Sequence, residues 1–212
     1  MVKFIKVLMF AVLALACIAP AGAAVIIDPY TDGQFDGVAG GGTFIYSALN
    51  VGLFNRVITV TQTLVSSGTA NTSILSSGGV LNLSVANNTD ADWILTYNTG
   101  SPVDLSTANR FVFSAASDLG YTLGFTVNGQ PSSTTITVPA GNASAFYSVS
   151  FGSFSGVNWA NVSSIAITAN SATTAADLDL GRIVADVPEP GTYALMGAGL
   201  LALAGLARRR KA

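Results

Sequence analysis

Hydrophobic and polar residues alternate with a period of two along most of the middle of the chain. The alternation is clear in five segments: 58–64, 81–86, 122–127, 135–138 and 147–151. In these segments an apolar side chain is followed in turn by Thr, Ser, Asn or another small residue. This pattern is typical of strands with one buried face, and β-branched Thr and Val fit a pleated surface. Four further runs predict additional strands: 92–97, 110–115, 162–168 and 178–185.

Turn-forming residues separate these runs. Four clusters rich in Gly, Asn, Ser and Pro predict turns: 76–79, 98–102, 128–133 and 139–142. The Gly-rich segment 36–43 and the small-residue segment 171–176 are predicted to be loops. No helical periodicity occurs between the two hydrophobic ends of the chain. About ten short strands with regularly spaced turns predict an all-β fold, a jelly-roll-like β-sandwich over residues 24–186.

The N-terminus has the features of a secretory signal peptide. Lys3 and Lys6 precede an uninterrupted apolar run at 7–19, and Ala21-Gly22-Ala23 forms a small-residue cleavage site. We therefore predict a signal helix over residues 1–23, with cleavage after Ala23. The order of residues before Cys17 differs from a lipoprotein signal, which argues against lipidation.

The C-terminal segment 187–212 has three parts in order. Val187 precedes Pro188-Glu189-Pro190, residues 191–207 carry no charge, and residues 208–211 are all basic. As a helix, residues 191–207 would extend roughly 26 Å, short but sufficient for a hydrocarbon core about 30 Å thick. The basic block would remain cytoplasmic. By these properties alone, the segment is equally consistent with an ordinary C-terminal anchor that is never processed.

The same three parts resemble the PEP-CTERM sorting signal of Gram-negative bacteria, with Pro188, Glu189 and Pro190 matching its motif residue by residue. The resemblance implies that an exosortase, a membrane-embedded transpeptidase-like enzyme, recognises the motif. It also implies export across the inner membrane, transient anchoring through residues 191–207, and release or attachment at the cell surface. Proteins of this type are associated with exopolysaccharide and biofilm production.

The composition of the predicted mature domain excludes several kinds of chemistry. Residues 24–187 contain three arginines and ten aspartates, a formal charge of −7, and no Lys, Glu, His or Cys. Nucleic-acid binding requires a basic surface that three scattered arginines do not form. A Ser-His-Asp triad, a Cys nucleophile, a Schiff-base lysine, a His or Cys zinc site and disulfides are all excluded. Catalysis by paired aspartates, as in some glycosidases, remains open.

The end of the domain also resembles a known type of sandwich. A strand at 164–167 followed by the segment 177–183 is similar to the closing strands of galactose-binding-like, carbohydrate-binding-module-type domains. The resemblance implies a structural calcium ion held by aspartates near the two ends of the domain: Asp28, Asp32, Asp36, Asp177 and Asp179. Because no run has the spacing of a complete calcium loop, these aspartates are more simply explained as turn residues that cap their own backbone.

Trp159 is the residue that we select as a sugar-binding candidate. It lies in a predicted loop at 156–161, where an aromatic ring can stack on a pyranose face. The alternative is that it fills the core, as we predict for Trp93, which alternates with Leu95.

We therefore expect a non-enzymatic, exosortase-processed surface or matrix protein with a structural or adhesive role and contact with exopolysaccharide. The expected partners are the exosortase and the membrane, with no nucleic acid, and calcium is the one cofactor that the residues suggest. Two alternatives stay open: an Asp-dependent glycan hydrolase and a calcium-dependent carbohydrate-binding module.

Overall fold

A computed structural model describes residues 24–33, 35–39, 41–51, 53–64, 71–171, 173–187 and Gly199. The predicted signal peptide, with Ala23, lies outside the described residues, as do Pro188, Glu189 and Pro190 and nearly all of the predicted membrane segment. Ala24–Asp186 forms one compact unit. Within the described part of the chain, no helix has the length and apolar character needed to cross a membrane.

The compact unit is built almost entirely from β-strands. Its first eight strands are β1 Val25–Asp28, β2 Phe35–Ala39, β3 Gly42–Val51, β4 Phe54–Leu64, β5 Asn71–Ser77, β6 Val80–Val85, β7 Thr89–Val103 and β8 Arg110–Ser117. The next seven are β9 Tyr121–Val127, β10 Gln130–Pro131, β11 Ile136–Val138, β12 Ala145–Ser150, β13 Val162–Asn170, β14 Leu178–Gly181 and β15 Ile183–Asp186. A single turn of 3-10 helix, Phe151–Ser153, follows β12.

The strands form two sheets, and every pairing among the described strands is antiparallel. The first sheet has the order β1-β15-β8-β14-β6-β5-β2, with β12 paired to the other edge of β8. The second has the order β10-β9-β13-β7-β4-β3, with β11 also paired to β9. We call them sheet A and sheet B.

The two sheets pack face to face, which confirms the predicted β-sandwich. Phe111 and Phe113 of β8 lie in sheet A, and both contact Phe125 of β9 in sheet B, with ring centroids 6.2 and 5.4 Å apart. The apolar residues of the predicted alternating segments form this core: Ile58, Val60, Leu81, Leu83, Val85, Leu123, Phe125, Val127 and Val149. Trp93 is fully buried, as predicted.

β8 contacts both β14 and β15 along one edge, because these two short strands are one strand interrupted at Arg182. The register is Leu180 opposite Ala115 before the interruption and Val184 opposite Val112 after it. Gly181 lies at the irregularity, and a Cβ atom there would be 2.0 Å from the Ser114 hydroxyl oxygen. The glycine therefore allows the two backbones to approach closely.

Two predicted irregular segments are strands in the structure. Within residues 36–43, positions 36–39 belong to β2 and positions 42–43 begin β3, and these are the edge strands of the two sheets. Residues 98–102 continue β7, where a register shift against β13 accommodates the Gly-Ser-Pro run. These predictions were wrong because ladder hydrogen bonds to a neighbouring strand outweigh the weak intrinsic preference of Gly, Asn and Ser for other conformations.

Candidate functional site

A buried ion-pair cluster holds the first residues of the domain against sheet B. Arg56 lies near the start of β4, and its two terminal nitrogens donate to different aspartates. Nη1 lies 2.7 Å from Oδ2 of Asp28, and Nη2 lies 2.6 Å from Oδ2 of Asp32. The side chains of Arg56 and Asp28 are 1% and 0% exposed, whereas that of Asp32 is 20% exposed. This cluster thus contains a charge pair that is removed from water.

Two tyrosines complete the cluster. Tyr30 has a left-handed backbone with φ of 50°, and its N–H donates to Oδ1 of Asp28 at 2.9 Å. The hydroxyls of Tyr30 and Tyr97 lie 2.8 Å apart, and the Arg56 guanidinium carbon is 5.4 Å from the centre of the Tyr30 ring. Burial raises the pKa of both tyrosines above the ordinary value for a phenol. Burial also raises the pKa of Asp28, although the charge of Arg56 opposes that shift.

These contacts occupy two of the five aspartates predicted to bind calcium. Each carboxylate oxygen of Asp28 and Asp32 accepts a hydrogen bond, because the Ser76 hydroxyl donates to the remaining Oδ1 of Asp32. Asp36 belongs to β2, and its side chain lies outside what the structure describes. Arg56 supplies the positive charge that the sequence analysis assigned to an ion. Arg56 and Asp28 are 28 positions apart in the chain, so no local sequence pattern indicates that they pair.

Asp177 and Asp179 lie elsewhere, in what we call the polar cavity. This cavity has a volume of about 250 Å³ and is lined by Asn82, Ala116, Asp118, Asn142, Asp177 and Asp179. Oδ1 of Asp179 accepts from the Asn82 amide at 2.6 Å, and Oδ1 of Asp177 accepts from the backbone N–H of Val85 at 2.7 Å. Among the described side chains, no group of three or more Asp, Glu, His or Cys residues is arranged to hold a metal ion. Of the described candidates, Asp28 and Asp32 therefore lie in the ion-pair cluster, and Asp177 and Asp179 line the polar cavity.

Trp159 lies in an irregular segment between the 3-10 turn and β13, as predicted, but it is half-buried. Its ring stacks on Phe151 with centroids 3.6 Å apart and an interplanar angle of 4°. Phe154 contacts the Trp159 ring edge-on at 5.4 Å, and the backbone oxygen of Trp159 accepts from the N–H of Leu105 at 2.7 Å. One face of the indole ring is thus covered by the protein itself.

Asp90 and Asp92, two residues apart on β7, are the remaining carboxylate pair of interest for hydrolysis. Burial raises the pKa of Asp92, and the negative charge of Asp90 adds to that shift. Oδ1 of Asp90 is buried and has no hydrogen-bond partner among the described residues. The two carboxylates are neighbours on one strand, whereas a glycosidase places its pair on opposite sides of the bound sugar.

A further cavity, which the sequence predictions did not include, is a groove on the outer face of sheet A. It has a volume of about 470 Å³, and its lining includes Gly79, Val112, Ser114, Phe146, Arg182 and Val184. Phe146 of β12 is 86% exposed, the largest value among the exposed hydrophobic residues that the structure describes. A signal was present in the sequence, because Phe146 falls on the polar side of the alternation that buries Val149.

Comparison with known proteins gives one match of sequence and several of fold. Among solved structures, the chain is similar to a family 11 carbohydrate-binding module from Clostridium thermocellum in complex with a β-1,3-1,4-mixed-linked tetrasaccharide. That match has 14% identity and a TM-score of 0.44, and it covers 78% of this chain and 97% of the other. A family 29 carbohydrate-binding module complexed with mannohexaose matches at 7% identity and a TM-score of 0.40, over 72% and 92% of the two chains. PfGH50B matches at 17% identity and a TM-score of 0.42, over 63% of this chain and 23% of its own.

No curated protein matches the chain. A protein-family model described as the PEP-CTERM protein-sorting motif matches residues 186–211. This segment begins at the last residue of β15 and includes Pro188, Glu189 and Pro190. The chain therefore carries a PEP-CTERM sorting motif directly after its β-sandwich, which implies export and handling by an exosortase toward the cell surface.

Proposed function

We propose that the protein is an exported, exosortase-processed component of the cell surface or extracellular matrix, with a structural or adhesive role in contact with exopolysaccharide. The sorting motif at residues 186–211 is the observation that carries this proposal. In this role the β-sandwich is the passenger that remains after both ends of the chain have been removed. The domain performs no catalysis and acts by binding and by persisting outside the cell.

The ends of the sandwich support such processing. Cleavage after Ala23 would leave a single residue before β1, whose last residue is held by Arg56. At the other end, Asp186 closes β15 and pairs with Arg110 at 2.5 Å. After these cuts, one residue would precede β1 and four residues, 187–190, would follow β15, and both strands belong to sheet A. Removal of the tags would leave little loose chain for proteases to attack.

The engaged carboxylates favour binding over hydrolysis. Asp28 and Asp32 pair with Arg56, and Asp186 pairs with Arg110. Oδ1 of Asp118 accepts the backbone N–H groups of Leu119 and Asp177, both at 2.7 Å. Carboxylates used in this way stabilise turns and strand ends, and they are poorly suited to transfer a proton to a glycosidic oxygen.

The processing step is tested with the full chain expressed in a host that has an exosortase. We expect the protein from the surface fraction to have an intact mass that lacks both residues 1–23 and the segment after the PEP motif. Replacing Pro188, Glu189 and Pro190 together by alanine should leave the complete tail on the protein and keep it in the inner membrane. Pro139→Ala, in the exposed bend before β12, is the matched control and should be processed normally.

Two results would refute the route. One is a mature surface protein whose mass still includes the basic residues 208–211. The other is normal processing of the triple alanine variant. Matrix retention is measured separately, by comparing protein in the matrix and in the medium before and after enzymatic removal of the host's exopolysaccharide.

A further inference from the structure

The outer face of sheet A has features of a binding surface. Outward-facing residues of β8 alternate with the buried Phe111 and Phe113, so Val112, Ser114 and Ala116 share that outer face. Phe146 pairs with Ser114, and Asp179 pairs with Ala116. The groove around Phe146 and the polar cavity around Asp179 are therefore neighbours on one face, two residues apart along β8.

Phe146 gives this face an aromatic platform. The Phe146 phenyl ring is 86% exposed on an ordered strand, so a large apolar area is in contact with water. Burial of that area against a ligand lowers the free energy. Val112 and Val184, paired across β8 and β15, continue the apolar floor of the groove beside it. The C–H face of a pyranose ring is flat and apolar enough to stack on such a platform, whereas its hydroxyls remain free to form hydrogen bonds at the edges.

Polar side chains border the apolar floor of the groove, within reach of the hydroxyls of a stacked sugar. Ser114 contributes a hydroxyl beside Gly181, and Arg182, which is exposed and has no ion pair among the described residues, reaches the same groove. Two residues further along β8, Asn82 and Asp179 offer amide and carboxylate atoms. At about 3.3 Å per residue, β8 and the bend from Val112 to Asp118 extend about 20 Å, so the face is long enough for several sugar units.

The charge of this face selects among polysaccharides. Asp118, Asp177 and Asp179 line the polar cavity, and the mature domain has a formal charge of −7. A uronate chain or a sulfated chain would meet net repulsion there. A neutral chain would not, and its hydroxyls can donate to the carboxylates and accept from Arg182.

We propose that the outer face of sheet A binds a neutral hexopyranose polysaccharide, with Phe146 as the stacking platform and with Arg182 and Asp179 as hydrogen-bonding partners. This inference rests on the proposed function, because it names the surface through which the exported domain contacts polysaccharide. It places the contact on the strands of sheet A and away from Trp159.

Affinity gel electrophoresis of the processed protein tests the proposal. The gels contain hydroxyethylcellulose, galactomannan or dextran as neutral probes and polygalacturonate as the anionic counterpart. We expect at least one neutral polysaccharide to retard the protein. Phe146→Ala should weaken that binding at least tenfold, and Phe146→Tyr, which keeps the ring, should bind within about threefold of the wild type. Ile94→Ala, an exposed apolar residue on the outer side of sheet B, should bind unchanged.

Three results would overturn the assignment: free migration in every neutral gel, equal retardation of wild type and Phe146→Ala, or preferential retardation by polygalacturonate. Loss of fold does not explain a negative result, because the Phe146 side chain is almost fully in solvent and circular dichroism verifies each variant. Intact mass and surface fractionation are measured on the same samples. Normal processing without binding would rule out the groove as a polysaccharide site and leave the proposed function intact. Binding by a protein that is never processed would support the groove and contradict the proposed function.

Discussion

Replacing Arg56 by methionine should destabilise the domain far more than the same replacement of Arg110, which forms an exposed ion pair. Methionine keeps the apolar stem of the arginine but removes the guanidinium, so Asp28 is left buried and unpaired. Removing one partner of a buried ion pair costs about 3–5 kcal/mol, most of which is the penalty of the uncompensated charge. For a domain of this size, that loss lowers Tm by roughly 6–20 °C.

The matched control is Arg110→Met. Arg110 donates from Nε and Nη2 to one oxygen, Oδ2 of Asp186, at 2.8 and 2.5 Å, whereas Arg56 donates to two aspartates. The side chains of Arg110 and Asp186 are 49% and 29% exposed. Water and salt screen such a pair, which contributes about 0–1 kcal/mol. The two variants therefore lose the same type of contact at different depths, and burial alone predicts a severalfold difference in the free energy of unfolding.

The measurement is urea unfolding of the processed protein, followed by tryptophan fluorescence, to which the fully buried Trp93 and the half-buried Trp159 both contribute. The double variant Asp28→Asn with Arg56→Met should recover more than half of the loss, because it removes the charge and keeps an acceptor for the N–H of Tyr30. A loss of stability in Arg56→Met no larger than that in Arg110→Met would refute this expectation. So would a double variant whose loss equals the sum of the losses of Asp28→Asn and Arg56→Met measured singly.

The effect of pH provides a second check on the same variant. Burial raises the pKa of Asp28 in the folded protein, and loss of Arg56 removes the charge that opposes this shift. Below the unfolded pKa, about 3.9, Asp28 is protonated in both states, so the variant has no charge penalty there. Above that pH, Asp28 ionises first in the unfolded state, so the penalty on folding grows until the pH exceeds the raised folded pKa. We therefore expect the stability difference between wild type and Arg56→Met to shrink as the pH is lowered from 7 toward 4.

Two further outcomes follow from the described contacts. Trp159→Ala should cost roughly 2 kcal/mol, less than a fully buried tryptophan because Trp159 is half-exposed, and should leave polysaccharide affinity unchanged; weaker binding without loss of stability would restore Trp159 as a recognition residue. Addition of EDTA should shift the Tm of the processed protein by less than about 1 °C, since Asp28 and Asp32 already accept hydrogen bonds at every carboxylate oxygen. A larger decrease that added calcium reverses would show that aspartates such as Asp177 and Asp179 hold an ion.

The local pattern predicted those parts of the fold that depend on neighbours in sequence. A strand exposes alternate residues to opposite faces, so the burial of Leu81, Leu83 and Val85 is already present in their spacing. Segments whose conformation depends on a partner strand were missed. Residues 98–102 contain turn-forming amino acids, and only the pairing of Asn98 with β4 and β13 and of Val103 with β13 keeps this run within β7.

The candidate site was harder to predict for the same reason. Phe146 could be placed on the outer face by counting from Val149, but its neighbours Val184 and Arg182 come from a strand far along the chain. Trp159 was correctly placed in a loop, yet the stacking on Phe151 that covers one of its faces is a tertiary contact.

The sequence by itself predicted the export route of the protein and the class of its fold. The sorting motif, the signal peptide prediction and the alternation of strands are linear features, since each depends on residue order within a short segment. The tertiary structure decided how the charges are used. Asp28 and Arg56 form a buried pair because folding brings β1 against β4, and desolvation then makes their attraction indispensable. Folding likewise brings Phe146, Arg182 and Asp179 onto one face of sheet A, because sheet register joins strands that are distant in the chain.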